Sequence, residues 1–186
     1  MMRLFVALNL PEDVRDALHE ATAPLREAGF PVRWVEATSF HVTLKFLGWV
    51  APERLAAIRD AMTSAAANSR PFEVQVGGIG AFPSLRRPRV LWLGVEASPP
   101  LRGLKQDLEW AFAPLGFERE LRAFQPHITL GRTVRDAGAG EFRALETILG
   151  HIGAHARVQV REIDLMQSHL SPAGARYERI ASVPLG

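Results

Sequence analysis

His41-Val42-Thr43-Leu44 and His127-Ile128-Thr129-Leu130 are two copies of one pattern, His-apolar-Thr-Leu, set 86 residues apart in a chain of 186. In an extended strand, residues two apart share a face. His41 therefore lies with Thr43, and His127 with Thr129. Val42, Leu44, Ile128 and Leu130 fall on the opposite face and anchor each strand in a core. If the two polar faces oppose one another, two imidazoles and two hydroxyls converge in one cleft.

The surroundings of each tetrad fit this reading. Arg3 to Asn9 alternates as a strand, and Pro11 opens a helix with the stripe Val14, Leu18 and Leu25. Strands are expected at Val32–Val35 and His41–Leu47. A second helix follows from Pro52 through Leu55, Ile58 and Met62. Phe72–Val76 and Val90–Val95 read as strands flanking a Gly/Pro-rich connection, with Gly77-Gly78-Ile79-Gly80 as a strand end. Pro100 starts a third helix, His127–Gly131 is a strand, and Phe142–Leu149 is a short helix. Val158–His169 and Tyr177–Val183 close the chain around the turn Ser171-Pro172-Ala173-Gly174. Strands and helices mix without strict alternation, so the fold class is α+β.

The chain also looks duplicated. Ala23-Pro24-Leu25 and Gly29-Phe30 precede His41, with the glycine twelve residues upstream. Ala113-Pro114-Leu115 and Gly116-Phe117 precede His127, with the glycine eleven residues upstream. The shared order is helix, Gly-Phe, short connection, motif strand. The expected architecture is two pseudo-symmetric lobes around a central cleft, each a mostly antiparallel sheet with flanking helices. No linker separates them, so residues 1–186 are expected to form a single two-lobed domain.

Composition narrows the chemistry. Cysteine is absent, which rules out disulfides and thiolate metal sites. The opening residues lack the apolar stretch and cleavage site of a signal peptide, and no run approaches a membrane span. A cytoplasmic protein with no membrane partner is expected. Net charge is only +2. Of 22 basic residues only Lys45 and Lys105 are lysines. Arginine forks suit phosphate oxygens, although a GC-rich codon bias also favours arginine.

The paired set can carry out acid/base work on a phosphate. A neutral imidazole takes a proton from water and an imidazolium gives one to a departing alkoxide; both forms exist near neutral pH. Threonine hydroxyls donate to phosphate oxygens. No metal, cofactor or nucleophilic side chain is required. Lys45 is in phase with His41 and Thr43 in a regular strand and could reach the cleft rim. Arg132 falls on the opposite pleat from His127 unless a turn or bulge after Gly131 redirects it. These residues do not decide which histidine is acid and which is base.

The motifs resemble those of the 2H phosphoesterase superfamily, and within it the bacterial and archaeal RNA 2′,3′-cyclic phosphodiesterases, also described as 2′-5′ RNA ligases. Arg33-Trp34-Val35 leading to His41-Val42-Thr43-Leu44-Lys45-Phe46-Leu47-Gly48 resembles the first block, and Phe124-Gln125-Pro126-His127-Ile128-Thr129-Leu130-Gly131-Arg132 the second. Arg3-Leu4-Phe5-Val6-Ala7, Gly80-Ala81-Phe82-Pro83 with Arg89-Val90-Leu91-Trp92, and Ser168-His169-Leu170-Ser171 with Gly174-Ala175-Arg176-Tyr177 resemble the remaining blocks. The resemblance implies hydrolysis of RNA 2′,3′-cyclic phosphate ends to 2′-phosphomonoesters; separately, a monomer is expected. It implies that His41 donates a proton to the 3′ oxygen and His127 accepts one from water. Thr43, Thr129 and Arg132 would hold the phosphate.

Other functions remain open. The same histidines could run 2′-5′ ligation, with an RNA 5′-hydroxyl in place of water. A non-catalytic RNA-end binding module would not need two matched acid/base residues. His151 and His155 have a spacing that could place two zinc ligands on one helical face, but Gly150 and Gly153 undermine a helix there. Trp34, Trp49, Trp92 and Trp110 read mainly as packing residues, with one of them or Phe5 available to stack on a base.

Overall fold

The computed structural model describes residues 1–186. Nine strands form one curled sheet: β1 (Met2–Asn9), β2 (Val32–Trp34), β3 (His41–Val50), β4 (Phe72–Pro83), β5 (Pro88–Val95), β6 (His127–Thr133), β7 (His155–Val160), β8 (Glu162–Ser171) and β9 (Gly174–Pro184). Every pairing is antiparallel. The strand order is β7-β4-β5-β6-β3-β1-β8-β9, with β2 added beside β6. Two four-stranded halves, β7-β4-β5-β6 and β3-β1-β8-β9, therefore meet along the two motif strands. Val42 opposite Ile128 is the registered pair that joins them.

Five helices cover the sheet: α1 (Glu12–Ala21), α2 (Ala23–Glu27), α3 (Leu55–Ala67), α4 (Pro99–Phe112) and α5 (Leu145–Leu149). α1 follows β1 yet packs against β7 of the other half. α4 follows β5 yet packs against β3 and α3. Helices of each half thus rest on the other half. The main core is correspondingly continuous, running from Leu4, Val6 and Leu44 through Leu104 and Leu108 to Leu91, Leu93 and Ile128.

Several boundaries differ from the sequence reading for identifiable reasons. The first helix breaks at Thr22, whose hydroxyl turns back onto the Leu18 carbonyl, and Pro24 opens α2; Leu25 belongs to that second helix. Val158–His169 is two strands parted at Arg161. The Gly77–Gly80 run lies inside β4, which continues to Pro83. Gly78 adopts positive φ at a bulge, and a Cβ on Gly80 would run into the Trp92 ring across the ladder. His155 opens β7 and packs on Gly77, whereas His151 sits in the turn after α5, so the two share no helical face. Trp49 and Trp110 are exposed.

Candidate active site

β1 is regular and its alternation is clean. Leu4, Val6 and Leu8 enter the main core, while Phe5 and Ala7 face the other way. Directly opposed residues of an antiparallel pair share a face. Asn9 opposes His41, Ala7 opposes Thr43, Phe5 opposes Phe46 and Arg3 opposes Trp49. The ladder skips once between Thr43 and Lys45 and once between Phe46 and Gly48. Bulges at Leu44 and Leu47 thus re-aim the strand. One face of β3 carries His41, Thr43, Phe46 and Trp49, and the core face carries Val42, Leu44, Lys45 and Leu47.

β6 repeats the first bulge. Gly94 opposes His127, Trp92 opposes Thr129, and the ladder then skips Leu130 so that Val90 opposes Arg132. Arg132 is returned to the face of His127 and Thr129. The redirection falls at Leu130, one residue before Gly131. Phe46 and Arg132 occupy equivalent places in the two halves.

The bulge at Leu44 overturns the expectation for Lys45. Its side chain points away from the cleft and is 4% exposed. Lys45 Nζ donates to Glu109 Oε2 at 2.6 Å and to the Glu118 carbonyl at 2.9 Å. Lys105 Nζ donates to Glu109 Oε1 at 2.6 Å and to the Leu44 carbonyl at 2.7 Å. The chain's two lysines thus share one buried glutamate beneath the first motif. Burial, the strongest single influence on the Glu109 carboxyl, pushes its pKa up. Hydrogen bonds from Lys105 and Lys45, the Lys105 charge and the Glu120 N–H pull harder, and hold it below its ordinary value.

His41, Thr43, His127, Thr129 and Arg132 all line one open cleft, together with Arg3, Phe5, Phe46 and Tyr177. The two imidazoles are held alike. His41 Nδ1 lies 2.8 Å from the Ser39 carbonyl and His127 Nδ1 lies 2.7 Å from the Gln125 carbonyl. A carbonyl only accepts, so each Nδ1 carries a proton and each neutral ring keeps its Nε2 lone pair for the cleft.

Aromatic rings wall both histidines. Phe5 and Tyr177 stand 5.0 and 4.9 Å from His41; Phe82 and Trp92 stand 5.0 and 6.1 Å from His127. Burial lowers the His41 pKa, the Ser39 hydrogen bond opposes this, and the His127 charge lowers it further. The net direction is down, so the free protein favours neutral His41.

Sequence reasoning finds both histidines, both threonines and Arg132, all of which meet in the cleft. It misses Arg3, Phe46 and Tyr177 as lining residues. Arg3 and Phe5 being two apart on β1 is a legible signal, whereas Phe46 is concealed by the Leu44 bulge. His169 is not among the cleft-lining residues and pairs with Glu178 at 2.9 Å. No set of three or more His, Asp or Glu side chains is placed to hold a metal ion.

The sheet of two matched halves and its paired His-x-Thr strands define a 2H phosphoesterase. The chain belongs to the 2′-5′ RNA ligase superfamily, whose family model matches residues 10–172. The RNA 2′,3′-cyclic phosphodiesterase of Methanothermobacter thermautotrophicus is 34% identical over 176 residues, covering 95% of each chain. The crystal structure of TT0787 from Thermus thermophilus superposes with a TM-score of 0.80 at 29% identity, covering 99% of this chain and 98% of that one. Escherichia coli LigT complexed with 3′-AMP superposes at 0.75 with 26% identity, covering 99% and 98%.

Proposed function

We propose that this protein hydrolyses RNA 2′,3′-cyclic phosphate ends to 2′-phosphomonoesters by two-histidine general acid/base catalysis, with no metal or cofactor. The observation that carries the reading is the matched pair of imidazoles, each tied at Nδ1 to a carbonyl two residues upstream and each lining the same cleft. The curated relative's name, RNA 2′,3′-cyclic phosphodiesterase, supplies the substrate class.

In this reaction His127 Nε2 takes a proton from water as its oxygen bonds to phosphorus. The bond from phosphorus to O3′ breaks on the opposite side, and His41 Nε2 gives its proton to O3′. Thr43 and Thr129 donate to the non-bridging oxygens, and Arg132 offsets the charge that builds on them. The cyclic phosphate brings the negative charge that stabilises protonated His41. The histidines end with their protons exchanged, and solvent resets them.

The working unit is one two-lobed domain over residues 1–186, acting as a monomer in the cytoplasm. No helix is long and apolar enough to cross a membrane. The superfamily description favours one second reading, 2′-5′ ligation, in which an RNA 5′-hydroxyl takes the place of water.

The test is end-group analysis of a defined oligonucleotide bearing a 2′,3′-cyclic phosphate. A 2′-phosphate product is expected. A 3′-phosphate would reverse the leaving-group assignment, and an unchanged end would make the protein a binder. A joined product in the presence of a 5′-hydroxyl strand would establish ligation.

A further inference from the structure

The two bulges in β3 produce a row that the acid/base chemistry does not use. Beyond His41 and Thr43, the cleft-side face of the strand continues with Phe46 and Trp49. Both rings are open to solvent, at 52% and 61% exposure, although large aromatic side chains are ordinarily well covered. Phe46 lines the cleft itself. Trp49 opposes Arg3, a cleft-lining residue, and so shares its face.

Arg3 ties the row together. Its guanidinium carbon lies 4.6 Å from the Phe46 ring centroid, and its Nη1 donates to Ser168 Oγ at 3.0 Å. A held cation thus stands against the first ring and across the ladder from the second. The equivalent place in the other half holds Arg132 rather than an aromatic ring. The pseudo-symmetry of the cleft is broken at this position, with an exposed aromatic ring on the His41 side and a guanidinium on the His127 side.

We propose that Phe46 and Trp49 form a stacking track for single-stranded RNA leading into the cleft, a role that rests on the cyclic phosphodiesterase reading above. In-line displacement places water on the His127 side and O3′, with its ribose, on the His41 side. The terminal base then reaches along β3 to the part of the Phe46 ring that Arg3 leaves open. The preceding base reaches Trp49. The two rings oppose Phe5 and Arg3, two residues apart on β1, and so sit roughly 7 Å apart along the strand. That is about twice the 3.4 Å step of stacked bases, so each base is seated separately with the intervening phosphate near Arg3. Stacking on such rings tolerates every base.

The test compares a nucleoside 2′,3′-cyclic phosphate with a short oligonucleotide ending in the same group. Trp49→Ala should lower the ratio of oligonucleotide to mononucleotide kcat/KM roughly 5- to 100-fold, mainly through KM. Trp49→Phe, which keeps a ring, should restore most of it. Phe46→Ala should lower kcat/KM for both substrates and leave the ratio near its original value. Fluorescence-anisotropy titration with a 2′-phosphate-ended oligonucleotide should show the same Trp49→Ala weakening in Kd, whether or not turnover is observed. An unchanged Kd and an unchanged ratio would overturn the track, as would a Trp49→Ala variant that alters oligomeric mass but not RNA affinity. Wild-type protein that binds the oligonucleotide through Trp49 but turns over neither substrate would leave the track standing and refute the cyclic phosphodiesterase reading.

Discussion

Lys105 Nζ donates to the backbone carbonyl of Leu44 at 2.7 Å, so a side chain from α4 engages the bulged residue of the first motif strand. A bulge disrupts the ladder and leaves its extra residue unpaired. An unpartnered buried carbonyl is costly, and here a charged donor meets it. The same Nζ binds Glu109, which also holds Lys45, so the cluster fastens both the bulged Leu44 and the Lys45 that follows it. The shift turns Phe46 toward the cleft and Lys45 toward the core.

Replacing Lys105 with Met should therefore do two things. It leaves the Leu44 carbonyl without its donor while Lys45 still pairs with Glu109, a loss of about 1 to 3 kcal/mol by denaturant unfolding. It should also lower kcat/KM by more than the stability loss explains, because the bulge orients Phe46 beside Thr43. A folded Lys105→Met variant with unaltered kcat/KM would separate the cluster from the site.

Glu109 gives the same cluster a pH signature. Its folded-state pKa lies below its ordinary value. A depressed carboxyl contributes stability that is fully present above the unfolded pKa and is lost as pH falls through the folded one. Urea stability should thus drop on acidification below about pH 4.3, and Glu109→Gln should flatten that drop. An equal slope in wild type and Glu109→Gln would assign the acid sensitivity to other groups.

The histidine pair carries the plainest kinetic expectation. His41→Ala and His127→Ala should each cost about two to four powers of ten in kcat. Neither change breaks the Val42–Ile128 link, so the far-UV spectrum should persist. Near wild-type turnover in either folded variant would refute the two-histidine mechanism.

Arg132→Ala tests the second bulge. If Leu130 aims this guanidinium at the phosphate, its loss removes a charge-assisted hydrogen bond, and kcat/KM should fall roughly 10- to 100-fold. The fall should be alike for mononucleotide and oligonucleotide, since both present the same phosphate. A fall confined to oligonucleotides would place Arg132 on the RNA strand instead.

What can be read in the sequence stops where a long-range contact sets the register. The period-two pattern locates β3 and β6 and pairs His41 with Thr43 and His127 with Thr129, because these pairs lie before the bulges. It puts Lys45 on the wrong face because the bulge at Leu44 is held by Lys105, 61 residues on, and no local spacing records that bond. Arg132 is undecidable from the pattern because its face depends on the equivalent bulge at Leu130. The duplicated Gly-Phe approaches reveal two halves, but not that α1 and α4 rest on each other's sheets, a packing choice that short-range pattern does not encode.

The pKa of His41 gives the sharpest test of how acid and base are divided. As the proposed acid, His41 must be protonated when substrate arrives. Burial and the His127 charge lower its pKa in the free protein, against the Ser39 hydrogen bond. The ordinary histidine value is about 6.5, so the protonated fraction falls off below that pH. Because kcat/KM reports the free enzyme, its alkaline limb should lie below about pH 6.5 and fall tenfold per unit beyond it. In the complex the anionic phosphate favours the imidazolium, so the alkaline limb of kcat should lie at higher pH than that of kcat/KM. NMR titration of the His41 ring should give a midpoint below the ordinary value, raised by His127→Ala and raised again by inorganic phosphate. A His41 midpoint above about 6.5 in the free protein would show that its surroundings do not disfavour the imidazolium, and a kcat limb no higher than the kcat/KM limb would show that bound phosphate does not charge this ring. His41 would then be better cast as the base.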